Sequence, residues 1–412
     1  MIDSRLILDD VLKFNNSFRK EDHYRIPPIN GIDNVNRPGD INFRCSNKHM
    51  LLALFDSLLF VKLRLTGTGD TMTLEHNCIT RMFNSMKLMF GSNEIENLSS
   101  VVGESITMIN SIVTPETFRR TYGHLSGWFV DTDANADVKN KGYKARVDFY
   151  KGTPTLIIPL KLIFGFADYR KVLHQIDNII LTLNRKADAD IFSEIFFGTA
   201  KIKAAAVDIE PKIEFTELEW WIPNLTPNLE AEAFFEKRLN EKKNIDMAYM
   251  RRHSTSVKFN ASKYQWTIAG ISKQVRYIFL AFKTEASNIA SNNCLFTAKN
   301  IRSIQVRING QLYPIQPMKL NTDDGDIAEA YLAYIEACTY FNNEPQLTVS
   351  EFRDLYPIFC FNTSSQNDLL KDGNEASVII EKIGNVQMEV FALVLEDSHF
   401  NYEISNGVGK FL

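Results

Sequence analysis

A run of carboxylate and amide side chains is one of the few places where this sequence could bind a ligand. Asp131, Asp133, Asn135 and Asp137 occupy positions 1, 3, 5 and 7 of a loop, as the oxygen ligands of a calcium-binding loop do. The sixth position is alanine instead of glycine, and the twelfth is Gly142 instead of glutamate. We therefore interpret this run as a solvated loop, with a weak cation site as the alternative.

A possible nucleophile occurs earlier in the chain. Glu75 and His76 precede Cys78, and His124 and His174 could be imagined as bases. No regular spacing joins these residues, and an isolated histidine is more often packed or on the surface than catalytic. We predict no catalytic residue and no enzymatic activity.

Paired tryptophans beside acidic residues are the local candidates for a glycan site. Glu217 and Glu219 precede Trp220 and Trp221, and glycoside hydrolysis requires two carboxylates at a sugar. Two prolines interrupt this stretch, so we predict a linker here, with the tryptophans packed between two domains.

Two short basic clusters could face nucleic acid or acidic neighbours. The net charge of the chain is −4, which gives the whole molecule no bias towards nucleic acid. A solvated surface is the commoner explanation for such clusters. Their members are Arg251, Arg252 and His253 in one, and Lys139, Lys141, Lys144 and Arg146 in the other.

Composition excludes several classes of protein. The chain has 412 residues, of which 45% are hydrophobic and 23% charged, as in ordinary globular proteins of two domains. Its five cysteines are odd in number and never form a CxxC pair, so we expect buried free thiols, no disulfide framework, no metal and no cofactor. We expect neither a signal peptide nor a transmembrane helix, and hence a reducing compartment.

The elements that position these residues are mostly short strands. Apolar alternation, a hairpin at residues 86–96 and many aromatic residues favour an all-β protein with few helices. We predict helices at residues 105–113, 229–240 and 323–340. The predicted organisation is an N-terminal arm (1–43), a first β-domain (44–216), a linker with a short helix (217–242), a second β-domain (243–397) and a C-terminal tail (398–412).

Residues 153–185 contain an apolar run, a polar middle and a second apolar run. We interpret them as a strand, a short helix at 168–177 and a buried strand from Ile179. The tetrapeptide at 163–166, IFGF, is echoed by IFCF at 358–361, and each precedes a predicted strand at a similar distance. This echo and the two halves of similar size favour a duplicated all-β module.

Several motifs, taken in one order, resemble those of double jelly-roll major capsid proteins of Polinton (Maverick) transposons and adintovirus-like viruses. The resemblance covers residues 40–397 and leaves the first 40 residues open. It rests on Asn93-Glu94-Ile95-Glu96, Gly127-Trp128-Phe129-Val130-Asp131-Thr132, Gly142-Tyr143-Lys144-Ala145-Arg146, Pro159-Leu160-Lys161, Ile163-Phe164-Gly165-Phe166, Asp168-Tyr169, the end of the strand at Leu181 to Arg185, Tyr331, and Phe352-Arg353-Asp354-Leu355-Tyr356-Pro357-Ile358-Phe359.

The resemblance implies two eight-stranded jelly-roll sandwiches side by side in one chain. It also implies a major capsid protein in the virion, made in the host cytoplasm, whose homotrimers imitate hexagons and tile an icosahedral shell. The implied partners are further copies of the chain, penton or minor capsid proteins, and packaged DNA on the inner face, with no stable membrane insertion. The alternatives are a glycan-binding or glycan-acting protein on the same scaffold and a host-domesticated relative that builds no particle.

Overall fold

The structure is a computed structural model. It describes residues 17–46, 51–67, 72–99, 101–174, 176, 178–198, 211–241, 245–271, 273–284, 292–321, 326–364 and 375–402.

Twelve strands form the described part of the first half of the chain. Eight of them make two four-stranded antiparallel sheets, in the orders β1-β12-β4-β8 and β2-β10-β6-β7, and the short strands β3 and β9 extend the first sheet. Strands β5 and β11 pair separately. The bounds are β1 (Phe18–Ile26), β2 (Gly39–Cys45), β3 (Leu51–Leu52), β4 (Leu58–Thr66), β5 (Met72–Leu74), β6 (Phe83–Phe90), β7 (Asn93–Ser99), β8 (Thr155–Pro159), β9 (Leu173–His174), β10 (Ile179–Arg185), β11 (Phe196–Gly198) and β12 (Lys212–Pro227).

Eight strands form the described part of the second half. They make two more antiparallel sheets, in the orders β13-β20-β15-β18 and β14-β19-β16-β17. Their bounds are β13 (Ile245–Phe259), β14 (Lys263–Ile268), β15 (Val275–Thr284), β16 (Ile301–Ile308), β17 (Gln311–Lys319), β18 (Phe359–Asn362), β19 (Ala376–Lys382) and β20 (Met388–Tyr402).

The two halves follow the same path. In each, one sheet holds the first, last, third and sixth of the eight main strands, and the other holds the second, seventh, fourth and fifth. This is the strand order of a jelly roll, in which two packed sheets bury a common core. The prediction of an all-β protein with two jelly rolls is confirmed, and the repeated order supports duplication.

Helices lie in the connections. The described residues include α1 (Ile32–Val35), α2 (Cys78–Arg81), α3 (Val102–Val113), α4 (Glu116–Arg120), α5 (Tyr122–Leu125), α6 (Lys141–Phe149), α7 (Asp188–Ile195), α8 (Leu229–Asn240), α9 (Ala328–Tyr340) and α10 (Val349–Asp354). Short 3-10 turns occupy Leu54–Asp56, Leu160–Leu162 and Phe166–Asp168. The helices predicted at 105–113 and 229–240 are confirmed as α3 and α8. The later part of the helix predicted at 323–340 is confirmed as α9. None of the helices in the described residues is long and apolar enough to cross a lipid bilayer.

Each roll has its own apolar core, built by strands that alternate in burial. Strand β10 shows this well, because Ile179, Leu181 and Leu183 are buried while the residues between them are half-exposed. Strand β15 is buried along most of its length, as expected for an inner strand covered on both faces. The prediction of a buried second strand in residues 153–185 is confirmed.

Three segments differ from the sequence predictions. The N-terminal arm was expected to end at residue 43, but β1 and most of β2 lie within it and pair with β12 and β10. The expected linker at 217–242 begins inside β12, so only its helix α8 was placed correctly. The expected tail from residue 398 includes the end of β20, which pairs with β13 to Tyr402.

The polar middle of residues 153–185 is not a helix. Phe166–Asp168 forms a 3-10 turn, and β9 then pairs with β3, while residues 175 and 177 lie outside the described residues. Pairing with a neighbouring strand overrides the helical spacing of this short segment. The first three residues of IFGF lie between two 3-10 turns and Phe166 begins the second turn, whereas most of the echo lies in β18. The equivalent strands are β8 and β18, so the echo is out of register.

Candidate functional site

The two rolls meet along a set of buried polar contacts, which we call the seam. At its centre, the edge strand β7 of the first roll lies beside the edge strand β13 of the second. Glu96 of β7 is fully buried and accepts hydrogen bonds from the backbone N–H of Gly165 (2.9 Å), Phe166 (3.0 Å) and Arg252 (3.0 Å). Burial raises the pKa of Glu96, and Arg252 and these N–H groups oppose that rise. One carboxyl therefore joins both rolls.

Arg252 makes the reciprocal contact from the second roll. Its guanidinium donates to the carbonyl oxygens of Lys161 (3.0 Å), Leu162 (2.9 Å) and Ile163 (2.8 Å), which follow β8. Arg252 is 6% exposed, and burial lowers its pKa. Three carbonyl groups satisfy a buried cation that would otherwise be costly.

Gly165 lets the two backbones touch at this point. A Cβ atom built on Gly165 would overlap the carbonyl oxygen of Met250 in β13. The glycine of the IFGF motif is therefore required by the close approach of the second roll, since any other residue would force the two backbones apart.

A second part of the seam surrounds Asp131. Its carboxylate pairs with Arg146 (2.8 Å), and both side chains are 0% exposed. Asn292 of the second roll donates to the other carboxylate oxygen (2.7 Å), and the Asp131 N–H donates to the hydroxyl of Tyr356 (3.2 Å). Gly142 allows α6 to approach the backbone of Val130 closely, which places Arg146 for this pair.

A third part of the seam holds the acid that the sequence suggested as part of a nucleophilic site. The thiol of Cys294, from the second roll, donates to Glu75 (2.9 Å), and the N–H of Asn293 donates to the other Glu75 oxygen (2.7 Å). Burial raises the pKa of Glu75 to about 7, although Arg81 opposes the rise. The pKa of the Cys294 thiol is raised well above its usual range by burial, so this thiol is unreactive.

Glu104 lies close to this cluster, and its pKa is shifted in the opposite direction. It pairs with Arg81 of the first roll (2.7 Å) and with Lys283 of the second (2.6 Å). Although burial acts to raise it, these two cations hold the pKa of Glu104 well below its usual range. Glu104 is therefore an anion at neutral pH that bridges the rolls.

The opposite shifts at Glu75 and Glu104 predict a specific pH dependence. Because the pKa of Glu75 is raised by folding, its contribution to stability is full below its ordinary pKa of 4.5 and is lost as pH rises through about 7. We expect Glu75→Gln to remove this loss. The free energy of unfolding of the variant, relative to the natural chain, should rise by about 3 kcal/mol between pH 4.5 and pH 8. Urea unfolding at several pH values measures the difference, and a pH-independent difference would contradict it.

The helix α3 carries a further set of contacts to the second roll. The side-chain amide of Gln346 donates to the carbonyl oxygens of Asn110 (2.7 Å) and Thr114 (3.0 Å), and its oxygen accepts from the indole of Trp128 (3.1 Å). The hydroxyl of Tyr334 donates to the carbonyl of Ser111 (2.9 Å). The two rolls are thus locked along the length of α3.

The nucleophile candidates do not form a catalytic site. The Cys78 thiol is 3.3 Å from the hydroxyl of Tyr150, and burial raises its pKa to about 11. His76 accepts from the N–H of Phe129 (3.0 Å), and burial lowers its pKa well below the usual range, so it is neutral. His124 stacks on the ring of Phe129. The backbone of His174 belongs to β9. These contacts are structural.

The calcium-like loop is occupied by its own chain. Asp131 is paired with Arg146, Asp133 accepts from the N–H and side chain of Asn135 (both 2.9 Å), and Asp137 accepts from the N–H of Lys139 (2.7 Å). Asp131 is therefore not available as the first ligand of a cation. Within the described ranges, no three His, Cys, Asp or Glu side chains are grouped as they would be around a metal ion.

The paired tryptophans belong to the first roll and do not pack between domains. Trp220 is 0% exposed in the first core, and Trp221 lies on the outer face of the sheet. The Trp221 ring stacks on Phe60 of β4 at 4.7 Å and is covered by the guanidinium of Arg25 of β1 at 4.2 Å. Its indole N–H donates to Glu219 (2.6 Å). Neighbouring strands therefore cover the ring from both sides of β12.

The basic clusters lose members to the seam. Arg252 and Arg146 are buried, whereas Lys139, Lys141 and Lys144 are exposed. Arg251 is 3.9 Å from Glu94. Each cluster therefore keeps only part of its positive charge on the surface.

Two jelly rolls in one chain, joined by a buried seam, define a double jelly-roll protein. A family model described as a double jelly roll-like domain matches residues 72–393, and the chain belongs to this family. The predicted resemblance to double jelly-roll proteins is confirmed. No curated protein matches the sequence.

Solved viral structures share the fold at low sequence identity. A chain of the Sputnik virophage aligns with a TM-score of 0.63 at 11% identity, covering 97% of this chain and 90% of that one. The Faustovirus major capsid protein gives 0.62 at 10%, covering 95% and 92%. The mavirus major capsid protein gives 0.60 at 9%, covering 100% and 93%.

Proposed function

We propose that this chain is a major capsid protein that forms pseudo-hexameric homotrimers and assembles an icosahedral shell around a DNA genome. Its partners are further copies of itself, then penton or minor capsid proteins, with packaged DNA on the inner face. Its location is the virion, after synthesis in the host cytoplasm. The solved structures named as major capsid proteins support this proposal. Its main support within this chain is the pair of outer edge strands described next.

The observation that carries the proposal concerns the edge strands. The seam covers one edge strand of each roll, and the equivalent strand of the other roll lies at an outer end of the chain without such a cover. Inside the chain, the fifth strand of the first roll (β7) faces the first strand of the second roll (β13). The equivalent strands at the outer ends are β1 and β17, and nearly all their residues are exposed or half-exposed. Ile315 of β17 is 82% exposed. An apolar residue so exposed on an edge strand favours an interface.

A second copy would supply the missing contact. If β17 of one chain faces β1 of the next, the junction between chains repeats the junction within the chain. Such a head-to-tail contact forms a closed ring when its rotation closes. Six similar junctions close a ring of six rolls, which is three chains.

The glycan alternative has weaker support. Phe60 and Arg25 cover the Trp221 ring, so its face is not free to stack on a sugar. Glu217 and Glu219 lie in the β-strand β12, and Glu219 accepts the hydrogen bond of the Trp221 indole. A host-domesticated relative would keep the fold and lose the particle, and electron microscopy of concentrated protein distinguishes the two by the presence of shells or hexagonal trimers.

We call this junction, of β17 of one chain with β1 of the next, the edge model. It predicts that a charge on β17 breaks the trimer. We expect the natural chain to elute with three times the 47.2 kDa chain mass in size-exclusion chromatography with light scattering. Ile315→Asp should shift it to the monomer mass, because burying an unpaired carboxylate costs at least about 2 kcal/mol per junction, roughly a 30-fold loss of affinity. The matched control is Val138→Asp, at a residue 83% exposed outside both edges, which should leave the trimer intact. A trimer that survives Ile315→Asp would contradict the edge model.

A further inference from the structure

The third strand of the second roll is covered on its outer face by a helix of the first roll. Lys283 of β15 pairs with Glu104 of α3 (2.6 Å), and α3 lies against β15 and β20. The residues of β15 that share the face of Lys283 are Tyr277, Phe279 and Ala281, and each is at most 2% exposed. The connection that follows the fifth strand of one roll thus covers a sheet of the next roll.

The equivalent strand of the first roll is β4, and the pairing of the strands relates its residues to those of β15. In both rolls the last residue of the sixth strand pairs with the third strand, at Leu58 in β4 and at Tyr277 in β15. Counted from these two residues, Arg64 of β4 corresponds to Lys283 of β15. Arg64 lies on the outer face, because the alternate residues of β4 are buried in the core.

The outer face of β4 is much more exposed than that of β15. Phe60 and Lys62 are half-buried, and Arg64 is exposed. Arg64 is 3.6 Å from Glu214, and both side chains are more than half exposed. An ion pair so exposed contributes little to stability. This face therefore presents an apolar ring and two cations to a partner.

The helix α9 of the second roll carries a surface that complements this face. It occupies the same connection as α3, between the fifth and sixth strands of its roll, and it lies against the outer edge strand β17 and against β18. Glu329, Leu332 and Glu336 are exposed and spaced as i, i+3 and i+7, so they lie on one side of the helix. Leu332 is 55% exposed. Glu329 is in the first turn of α9, as Glu104 is in the first turn of α3.

We propose that the exposed side of α9 in one chain docks on the outer face of β4 in the next chain, with Leu332 on Phe60 and Glu329 paired with Arg64. The proposal rests on the head-to-tail trimer of the proposed function, and it adds a second contact beside the junction of β17 with β1. The occupant is a second copy of this chain for two reasons. Inside the chain, α3 of one roll already makes the corresponding contact with the next roll, and the acids of α9 are opposite in charge to the cations of β4.

A charge exchange tests the contact. Arg64→Glu and Glu329→Lys are made singly and together, and the mass of each protein is followed over a dilution series by light scattering. Each single reversal places like charges at every junction. We expect the concentration at which half of the trimer has dissociated to rise at least about tenfold. The double variant restores opposite charges and should return this concentration to within about threefold of the natural value.

The matched control reverses an ion pair on the other sheet of the second roll. Lys263 of β14 and Glu381 of β19 are 2.8 Å apart, with side chains 80% and 44% exposed. Lys263→Glu and Glu381→Lys change the charge of the chain by the same amounts as the test variants. Both should leave the dissociation of the trimer unchanged. The urea midpoint of each variant shows that it is folded.

A cross-link identifies the chains that meet. A chain with Arg64→Cys is mixed in dilute solution with a chain with Glu329→Cys, and the mixture is concentrated and treated with a short bismaleimide. The natural cysteines are free and buried. We expect a product of two chains that contains one copy of each variant. The control mixture of Arg64→Cys with Lys263→Cys should not give this product.

The outcomes separate this contact from the proposed function. A natural chain that stays monomeric overturns both. A trimer whose dissociation is unchanged by either reversal, or a double variant that does not recover the natural value, overturns the contact of α9 with β4 and leaves the trimer in place. Equal cross-linking in the test and control mixtures overturns the contact as well.

Discussion

Replacing Gly165 by alanine should open the seam. The added Cβ would overlap the backbone carbonyl of Met250, which cannot rotate away as a side chain can. The second roll must therefore move, and the hydrogen bonds from Gly165 and Arg252 to Glu96 lengthen with it. We expect Gly165→Ala to lower the free energy of unfolding by about 3 kcal/mol, the upper part of the range for overpacked sites. Urea unfolding of the purified chain measures this loss.

The control for this change is Gly91→Asn in the turn between β6 and β7. Gly91 has a φ of 59°, which asparagine tolerates, and nothing lies within 4 Å of a Cβ built there. We expect the control to unfold within about 0.5 kcal/mol of the natural chain. If Gly165→Ala also unfolded at the natural midpoint, the close approach of the rolls would not be needed for stability.

Replacing Arg146 by methionine should lower the free energy of unfolding by about as much as Gly165→Ala does, but for an electrostatic reason. The variant leaves the Asp131 carboxylate 0% exposed and without its cation. Breaking a buried ion pair from one side costs about 3–5 kcal/mol, because the remaining charge is buried without compensation. We expect a loss of this size, with the Asn292 contact from the second roll weakened as well. Denaturant unfolding with two probes, one in each roll, would follow both effects.

The double variant Asp131→Asn with Arg146→Met separates charge from packing. It removes both charges, so most of the loss should be recovered, and the cycle should give a coupling of at least about 2 kcal/mol. Arg120→Met is the exposed counterpart, because Arg120 pairs with Glu116 while 78% exposed, and it should cost under about 1 kcal/mol. Additive losses in the cycle would show that the pair contributes little.

Local patterns were sufficient to predict much of the fold. The period-two alternation of β10 and the turn between β6 and β7 each depend on neighbours in sequence, and each is found in the structure. The helix α9 is found as well, but it buries Ala330, Tyr334, Ala337 and Cys338, whereas the periodicity had predicted a stripe through Tyr331, Leu332 and Ile335. The edge strand β1 was missed because both of its faces are largely exposed, so FRKEDHYRI has no apolar alternation.

Strand β12 was missed because of its prolines. Pro223 lies where pairing with β4 has ended, at Trp221, and pairing with β3 begins, at Asn224. A missing N–H is tolerated at such a break. A rule that places prolines in linkers therefore fails in the central strand of this sheet.

The seam could be predicted only in part. Glu75 and Cys294 are 219 residues apart in sequence, so no spacing could join them. The motifs shared with double jelly-roll proteins nevertheless contain Glu96, Asp131, Arg146 and Gly165, which all lie in the seam. Those motifs marked the right residues, but a sequence alone could not show which of them meet.

The position of the last strand in each roll has a consequence for synthesis of the chain. Strand β12 lies between β1 and β4, and β20 lies between β13 and β15, so the final strand fills the middle of a sheet. The first roll cannot close until residue 227 has left the ribosome, and β1, which pairs with β12, must wait for its partner until then. Strands that are far apart in sequence pair slowly, because the entropy of closing the long loop between them is lost before the pairing contributes any stability. We expect β7 and its Glu96 to be exposed during translation until β13 arrives, which makes the nascent first roll a natural client of chaperones.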